Sequence, residues 1–483
     1  MMNRLSRKTK MFYGVAGIGD SALYSMMGMF ALFFFTTVAG VDPAVAGTIV
    51  AIGAVWDVVS SSIVGYISDK LHTSMGRRKP FVLAASFPLA VFCSLIFLSI
   101  DAPQVVKVVY YVFMFIAFWT AYSVFFVPYT AWGAELTDNY EERTELRGIV
   151  YVFYSLGGAV GTALPTIIVD QLVQWGAAVK TGWLGAGILV GVLSAAAIFI
   201  TGWFVNDSSL SHDAGADATP DMRADASSAA APVTADAESG SPRANSRGLM
   251  AVVDIIRNYV QVFRFGPSRY IILTSMFYLV ANSIFSADKM YFYTYNMELT
   301  AGQISLVILF QNAISVFMVP PLIRINRFLD KRTLCIGGIG MAGACLIIYG
   351  FVGIPNIPHL LLFSFFYGIG SICYWQLIPS MLYDVCDADR LENDMDRAGL
   401  IISLQGMTES VSGGIGFQIL GVLLKFTGFD STAAVQNHAT LSCVHASFTF
   451  IPALFAILAM IMMLRYPITR ARHTEIIDQL QRR

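Results

Sequence analysis

Residues 44–66 read AVAGTIVAIGAVWDVVSSSIVGY. A run of this length and apolarity crosses a bilayer as one helix, and its only formal charge is Asp57. A carboxylate near the middle of a spanning helix costs a few kcal/mol or more unless it is paired, protonated or turned to a wet cavity. Two readings are open for Asp57: a site for a cation or proton, or a structural carboxylate capping a neighbouring helix. Ser60 and Ser61 follow three and four residues later, so they share its helix face. With Ser123 they offer oxygen ligands. One carboxylate with hydroxyls makes an adequate proton site and a thin sodium site.

The rest of the chain repeats this kind of block. Hydrophobic residues make up 56% and charged residues 13%, about half the charge of a soluble domain. The expected fold is all-α and polytopic. Twelve spans are expected near 11–38, 44–68, 80–100, 104–134, 147–171, 181–204, 266–296, 301–325, 333–353, 357–386, 397–427 and 440–465. The first is expected to be retained rather than cleaved, because no small-residue cleavage site follows it. Net charge is −1, so no nucleic-acid footprint is visible.

Lys and Arg set the orientation. They gather at the N-terminus (Arg4, Arg7, Lys8, Lys10), after span 2 (Lys70, Arg77, Arg78, Lys79), after span 8 (Arg324, Arg327, Lys331, Arg332) and in the tail. The alternate loops hold only Lys107, Lys180 and Lys425. Both termini are therefore expected in the cytoplasm, in a plasma membrane.

The expected organisation is a six-helix half over 1–205, a disordered linker over 206–249, an amphipathic interfacial helix over 250–264, a second six-helix half over 265–466 and a tail over 467–483. The linker is Ala, Ser, Asp and Pro with almost no large apolar side chain, too little to offset its ordering entropy. In 250–264, Val252, Ile255, Ile256, Tyr259, Val260 and Phe263 fall on one face, with Arg257 and Arg264 off it. The halves echo each other. Pro128 precedes Glu135 and Asp138 in span 4, as Pro379 precedes Asp384 and Asp387 in span 10. Such pseudo-repeats place a binding site between the halves, near the midplane.

Other charges within spans are few: Asp20, the adjacent Asp288 and Lys289, and Glu409. Such groups rarely face lipid. Asp20 reads equally as a substrate acceptor or a packing carboxylate. Neighbours on a helix point about 100° apart, so one of Asp288 and Lys289 can face the cavity while the other faces a helix. Glu409 either faces that cavity, with Gln405 one turn before it, or pairs with Lys289. Tyr293 and, in span 4, Phe126, Tyr129 and Trp132 complete the candidate substrate set. Two acid–base clusters are candidates for a cytoplasmic gate: Asp69 with Arg77 and Arg78, and Glu135 and Asp138 with Arg143 and Arg147, with Asp384 and Asp387 as counterparts in the second half. A solvated loop that only fixes orientation is the competing reading. No P-loop is present, the His residues lack metal-ligand spacing, and the six cysteines form no CxxC pair. No enzyme activity and no cofactor are expected.

Gly17-Ile18-Gly19-Asp20, Trp56-Asp57, Gly65-Tyr66-Ile67-Ser68-Asp69, Gly76-Arg77-Arg78-Lys79-Pro80 and the run from Val127 to Leu136 stand in a set order. Together with Asp384-Val385-Cys386-Asp387, they resemble the glycoside–pentoside–hexuronide:cation symporter family, the melibiose-permease branch of the major facilitator superfamily. The resemblance implies a major facilitator fold of two pseudo-symmetric six-helix halves, and cation-coupled uptake of a sugar, glycoside or related organic solute by alternating access. It implies a cation-site role for Asp57, with H+ or Na+ as the coupling ion, and a sugar-binding role for Asp20. Trp132 and Glu135 fall in the family's span 4 signature. This chain has Ser61 where the melibiose permeases have a second cation-site Asp, Phe126 where they have a sugar-binding Asp, and Ser410 near their span 11 lysine. The first change favours protons or uncoupled movement. The second leaves open a more apolar or lipid-like solute. The expected partners are a small-molecule solute and the bilayer, with the chain acting as a monomer.

Overall fold

The computed structural model describes residues 5–71, 73, 75–136, 140–205, 257, 259–326, 328–393, 397–433 and 435–482. Among the described residues, twelve spans are long and apolar enough to cross a membrane. In the first half they are α1 (Arg7–Phe33), α2 (Pro43–Lys70), α3 (Lys79–Ile96), α4 (Gln104–Glu135), α5 (Tyr140–Gln174) and α6 (Val179–Phe204). In the second they are α7 (Gly266–Tyr291), α8 (Ala301–Ile325), α9 (Lys331–Val352), α10 (Ile357–Asn393), α11 (Ala398–Phe426) and α12, which is built from His438–Phe448 and Phe450–Leu464. A final helix, α13 (Arg470–Arg482), follows.

Local chemistry sets the ends and breaks. The Asp42 side chain accepts from the backbone N–H groups of Ala44 and Val45, and Pro43 takes the first helical position of α2. Both features suit a helix start. Thr300 and Gln303 form a reciprocal capping box at α8. α12 breaks at Thr449. Pro452 lacks an N–H, and its ring crowds the carbonyl four residues back, at Phe448. A π-helical turn ends α1 at Phe34–Val38 and ends α7 at Phe292–Asn296, the same place in each half.

Each half packs mainly on itself: α1 with α5 and α6, α3 with α4 and α6, then α7 with α11 and α12, and α10 with α8 and α9. The halves meet along α2/α11, α5/α8 and α1/α7. An even number of spans puts both termini at one face. The cross-half contacts lie toward the other face. Asp42 pairs with Lys425 at 3.2 Å. Thr36 and Tyr291 share a 2.5 Å hydroxyl bond, Thr166 and Ser305 one of 2.7 Å, and Asn312 donates to Thr162 at 3.3 Å.

Some expectations change here. The linker and residues 250–256 lie outside the described residues, while 259–264 are helical. Within that piece Val262 is buried and Val260 is 44% exposed, so the inward face differs from the expected one. The tail expected over 467–483 contains α13, and Ile468 and Ile476 are buried with Leu382 and Val385 of α10 in one apolar cluster. α10 also runs seven residues past the expected end, to Asn393.

The α2/α11 seam depends on glycine. A Cβ at Gly421 would fall 2.4 Å from the Pro43 carbonyl oxygen, a backbone atom that cannot step aside. Gly421→Leu should therefore hold the seam open. Spin labels at positions 42 and 425 are expected to move apart by about 5 Å or more, the scale of a domain rearrangement. An unchanged distance distribution would show that the seam does not govern closure.

Candidate functional site

α2 carries Asp57 halfway along its length, with Ser60 and Ser61 on the same face. α4 lies alongside, fixed by the Trp56 indole donating to Thr120 at 2.8 Å. This brings Ser123 to the carboxylate. Asp57 Oδ1 accepts from Ser123 at 3.3 Å and from Ser61 at 3.5 Å. Ser123 also meets Ser60 at 2.7 Å and Ser61 at 3.1 Å. Asp57 Oδ2 accepts from Ser410 of α11 at 3.3 Å. One carboxylate is thus held by hydroxyls from three helices and both halves. These contacts are longer than the roughly 2.6 Å of a tight hydroxyl–carboxylate bond, so the cage is loose. It offers only oxygen donors, suited to a proton or a hard cation.

A cavity of about 230 Å³ lies between the halves, lined by Tyr24, Ser25, Asn282, Lys289, Trp375 and Glu409 among others. A smaller one of about 90 Å³ adjoins Asp57, Phe115, Trp119 and Ser410. The two share Tyr24, Gly28, Glu409, Gly413 and Phe417. Glu409 therefore faces the larger space while its neighbour Ser410 binds Asp57. Tyr24 and Trp375 are 47% and 45% exposed, so the cavity is open to the outside of the protein. The seam closes the face opposite the termini.

Lys289 turns into this cavity. Its ammonium donates to Gln311 Oε1 at 3.3 Å and lies 4.9 Å from the Phe285 ring centre. Gln311 in turn donates to Tyr293 and Ser364, both at 3.0 Å. Tyr293 is fully buried and positions Gln311 rather than lining the cavity. Asp288 is also fully buried, and no described hydrogen bond reaches its carboxylate. Gln405 is buried and donates to Glu409 at 3.2 Å. Lys289 and Glu409 do not pair.

Of the four expected substrate residues of the first half, Asp20, Tyr129 and Trp132 are buried and Phe126 is part-exposed. Asp20 is 4% exposed and accepts from the Tyr122 hydroxyl at 2.5 Å, behind the cavity lining. Phe126 stacks on Tyr122, with ring centres 5.6 Å apart. Tyr129 is buried and trades hydrogen bonds with Tyr13: Tyr13 donates to the Tyr129 carbonyl at 2.8 Å, and Tyr129 donates to the Tyr13 carbonyl at 3.1 Å. Trp132 is fully buried, edge-on to Tyr13. Tyr129 and Trp132 thus join α1 to α4 through Tyr13.

The charged clusters sit at the terminus-bearing face. Arg78 bridges Asp69 and Glu135 at 2.8 Å each and donates to Ser68 at 2.9 Å. Arg77 donates to the Asp69 carbonyl at 2.6 Å. Arg147 is exposed. Asp138 and the Arg143 side chain lie outside the described residues. In the second half Lys331 binds both Asp384 oxygens at 2.8 Å, and His473 of α13 meets Asp387 at 3.1 Å. The bridges described at this face join helices of one half, and so brace each half. Two further clamps were not anticipated: Lys10 with Glu142 and Glu145, and Arg397 with Asp389 at 2.5 Å. The hydrogen bonds to Asp389 raise the Arg397 guanidinium above its already high ordinary pKa.

A family model described as MFS/sugar transport protein matches residues 12–225 and 231–470. An uncharacterized symporter of Synechocystis sp. is 26% identical, over 99% of this chain and 97% of that protein. The isoprimeverose transporter of Lactiplantibacillus pentosus is 21% identical, over 97% and 90%. Among solved structures, the inward open xylose transporter XylE from E. coli is similar in fold, with a TM-score of 0.63 at 14% identity over 98% of each chain.

The Tyr13/Tyr129 exchange predicts a purely structural phenotype. Tyr129→Phe removes one buried hydrogen bond and should cost about 1 kcal/mol of stability. Thermal unfolding of the purified protein should shift down while the apparent affinity for solute stays unchanged. A changed affinity at unchanged stability would return Tyr129 to the solute site.

Proposed function

The chain belongs to the MFS/sugar transport family, and from that premise we propose that it takes up a sugar, glycoside or related organic solute by cation-coupled symport through alternating access. It is a multi-pass membrane protein. The observation that carries the reading is the loose hydroxyl cage around Asp57, which draws on both halves through Ser410. An ion or proton that enters there changes the bonding between the halves, which is what coupling needs. With one carboxylate and no second acid in the cage, the coupling ion is a proton, Na+ being the alternative.

Following the Lys and Arg bias, the termini lie in the cytoplasm, and the closed seam faces outside. The state described is then inward-facing, with the cavity open to the cytoplasm. Arg78, Asp69 and Glu135 in one half, and Lys331, Asp384 and His473 in the other, keep each half rigid as it rocks. Lys289, Glu409, Asn282 and Ser25 set hydrogen-bonding groups into a wall that also carries Met29, Leu279, Trp375 and Phe417. Such a wall suits a solute with both hydrogen-bonding groups and an apolar face. Both halves and the cavity lie in one chain, so a monomer suffices.

Proteoliposomes holding the full-length protein test this. An inward proton gradient should drive accumulation of a labelled glycoside, and a sodium gradient alone should not. Asp57→Asn mimics the protonated side chain. It should lower gradient-driven accumulation about tenfold or more while exchange of solute across the membrane continues. Gradient-driven accumulation by Asp57→Asn at the original level would remove Asp57 from the coupling mechanism.

A further inference from the structure

Asp288 is a carboxyl group buried in a span without a cation beside it. Its side chain is wholly buried, and among the described residues neither carboxyl oxygen has a hydrogen-bond partner. Asp57, by contrast, has three hydroxyl donors. The charged and titratable groups of the helices around Asp288 are engaged elsewhere. Lys289, next on α7, reaches to Gln311. His445 of α12 meets the Gly350 carbonyl at 3.0 Å. On α11, Lys425 pairs with Asp42 and Glu409 bonds with Gln405. Asp20 of α1 holds Tyr122, and Tyr367 of α10 packs on the Phe285 ring. Cys443 of α12 and Tyr291 of α7 lie close enough to feel a charge on Asp288, and neither is a cation.

The polar group set against Asp288 is Ser447 of α12. Its hydroxyl proton is directed to its own helix, to the Cys443 carbonyl at 2.7 Å and the Val444 carbonyl at 3.3 Å. A hydroxyl has one proton and two lone pairs, so what Ser447 offers Asp288 is a lone pair. A carboxylate cannot use it. A carboxylic acid can, by donating its O–H. An ionised, unpaired carboxylate buried in a span is the costly alternative. Among the described residues no cluster of three or more His, Cys, Asp or Glu suits a metal ion. We propose that Asp288 is a second proton site, in the half opposite the Asp57 cage, and that its acid donates to Ser447 and ties α7 to α12.

The surroundings give this proton a way out. Tyr291, one turn on from Asp288, holds Thr36 of α1 in the closed seam. Opening the seam breaks that bond and lets water reach the layer beneath. A π-helical turn begins at Phe292, and the α12 break lies at Thr449, two residues past Ser447. Both helices are thus irregular where the tie must loosen. The proton then passes to water on the seam side, leaving a carboxylate that water and the neighbouring Lys289 stabilise. Closure needs the proton back, so acid on that side favours the closed seam.

Infrared spectroscopy of the full-length protein in nanodiscs tests this. At about pH 8, where exposed carboxyl groups are ionised, the unaltered protein should show a carboxylic-acid carbonyl band that D288N and D288S both lose. D57N should keep it. S447A should shift it, since the acid then lacks its acceptor. D288N supplies a neutral group that also donates, so its thermal unfolding should match that of the unaltered protein, and D288S guards against one variant that fails to fold. No difference in this band between the unaltered protein and either neutral variant overturns the inference. A band that S447A leaves unmoved overturns the tie to α12. G421L, with spin labels at positions 42 and 425 shown to be apart, should lose the band, and its persistence there overturns release at the open seam.

Discussion

The cost of placing a carboxylate at bilayer depth governs the design. Asp57 is half-buried at the edge of the cavity, and its oxygens are answered from within the protein, as an intramembrane carboxylate needs. Ser61 answers from its own helix, Ser123 from α4 and Ser410 from the other half. None of these is a cation, and all lie beyond 3.2 Å. A full salt bridge would hold the carboxylate permanently charged and closed to an ion. A hydroxyl cage tolerates both charge states, because a hydroxyl both donates and accepts. Trp56 and Thr120 then serve to keep α2 and α4 in register, so that Ser123 reaches its place.

Much of this was legible from local sequence rules. The spans follow from the lengths of apolar runs, and the grouping of Asp57, Ser60 and Ser61 follows from helical spacing. The separation of Asp288 from Lys289 follows from the 100° turn per residue. What the sequence hid is long-range. Ser410 is 353 positions from Asp57, and Tyr122 is 102 from Asp20. No periodicity links such pairs. The departure near Ser410 from the span 11 lysine that the melibiose-permease resemblance implies is the available clue to the first.

The span 4 residues mislead for a different reason. Tyr129 and Trp132 stand in a recognisable motif, and a motif invites a solute-binding role. Their burial and the reciprocal bonds of Tyr129 with Tyr13 give them packing contacts within the first half. Sequence marks such residues as special without telling a brace from a ligand. The same holds for Asp69, Arg78 and Glu135. Their charges suggest a gate, yet the bridges described close within one half.

That distribution follows from what a rocking protein requires. Each half must move as a unit, so strong charged bonds belong inside it, where rocking does not break them. The seam must open and close at small net cost, since a state favoured by several kcal/mol traps the equilibrium. Its contacts fit that need: hydroxyl pairs at Thr36/Tyr291 and Thr166/Ser305, close glycine packing at Gly421, and a part-exposed pair at Asp42/Lys425. Exposed pairs contribute about 1 kcal/mol or less. On the proposed coupling role of Asp57, the Asp57–Ser410 bond differs from the others because its strength would depend on whether Asp57 holds an ion. A seam this finely balanced is moved by a small change at one bond, and in that proposal the bond is Asp57–Ser410.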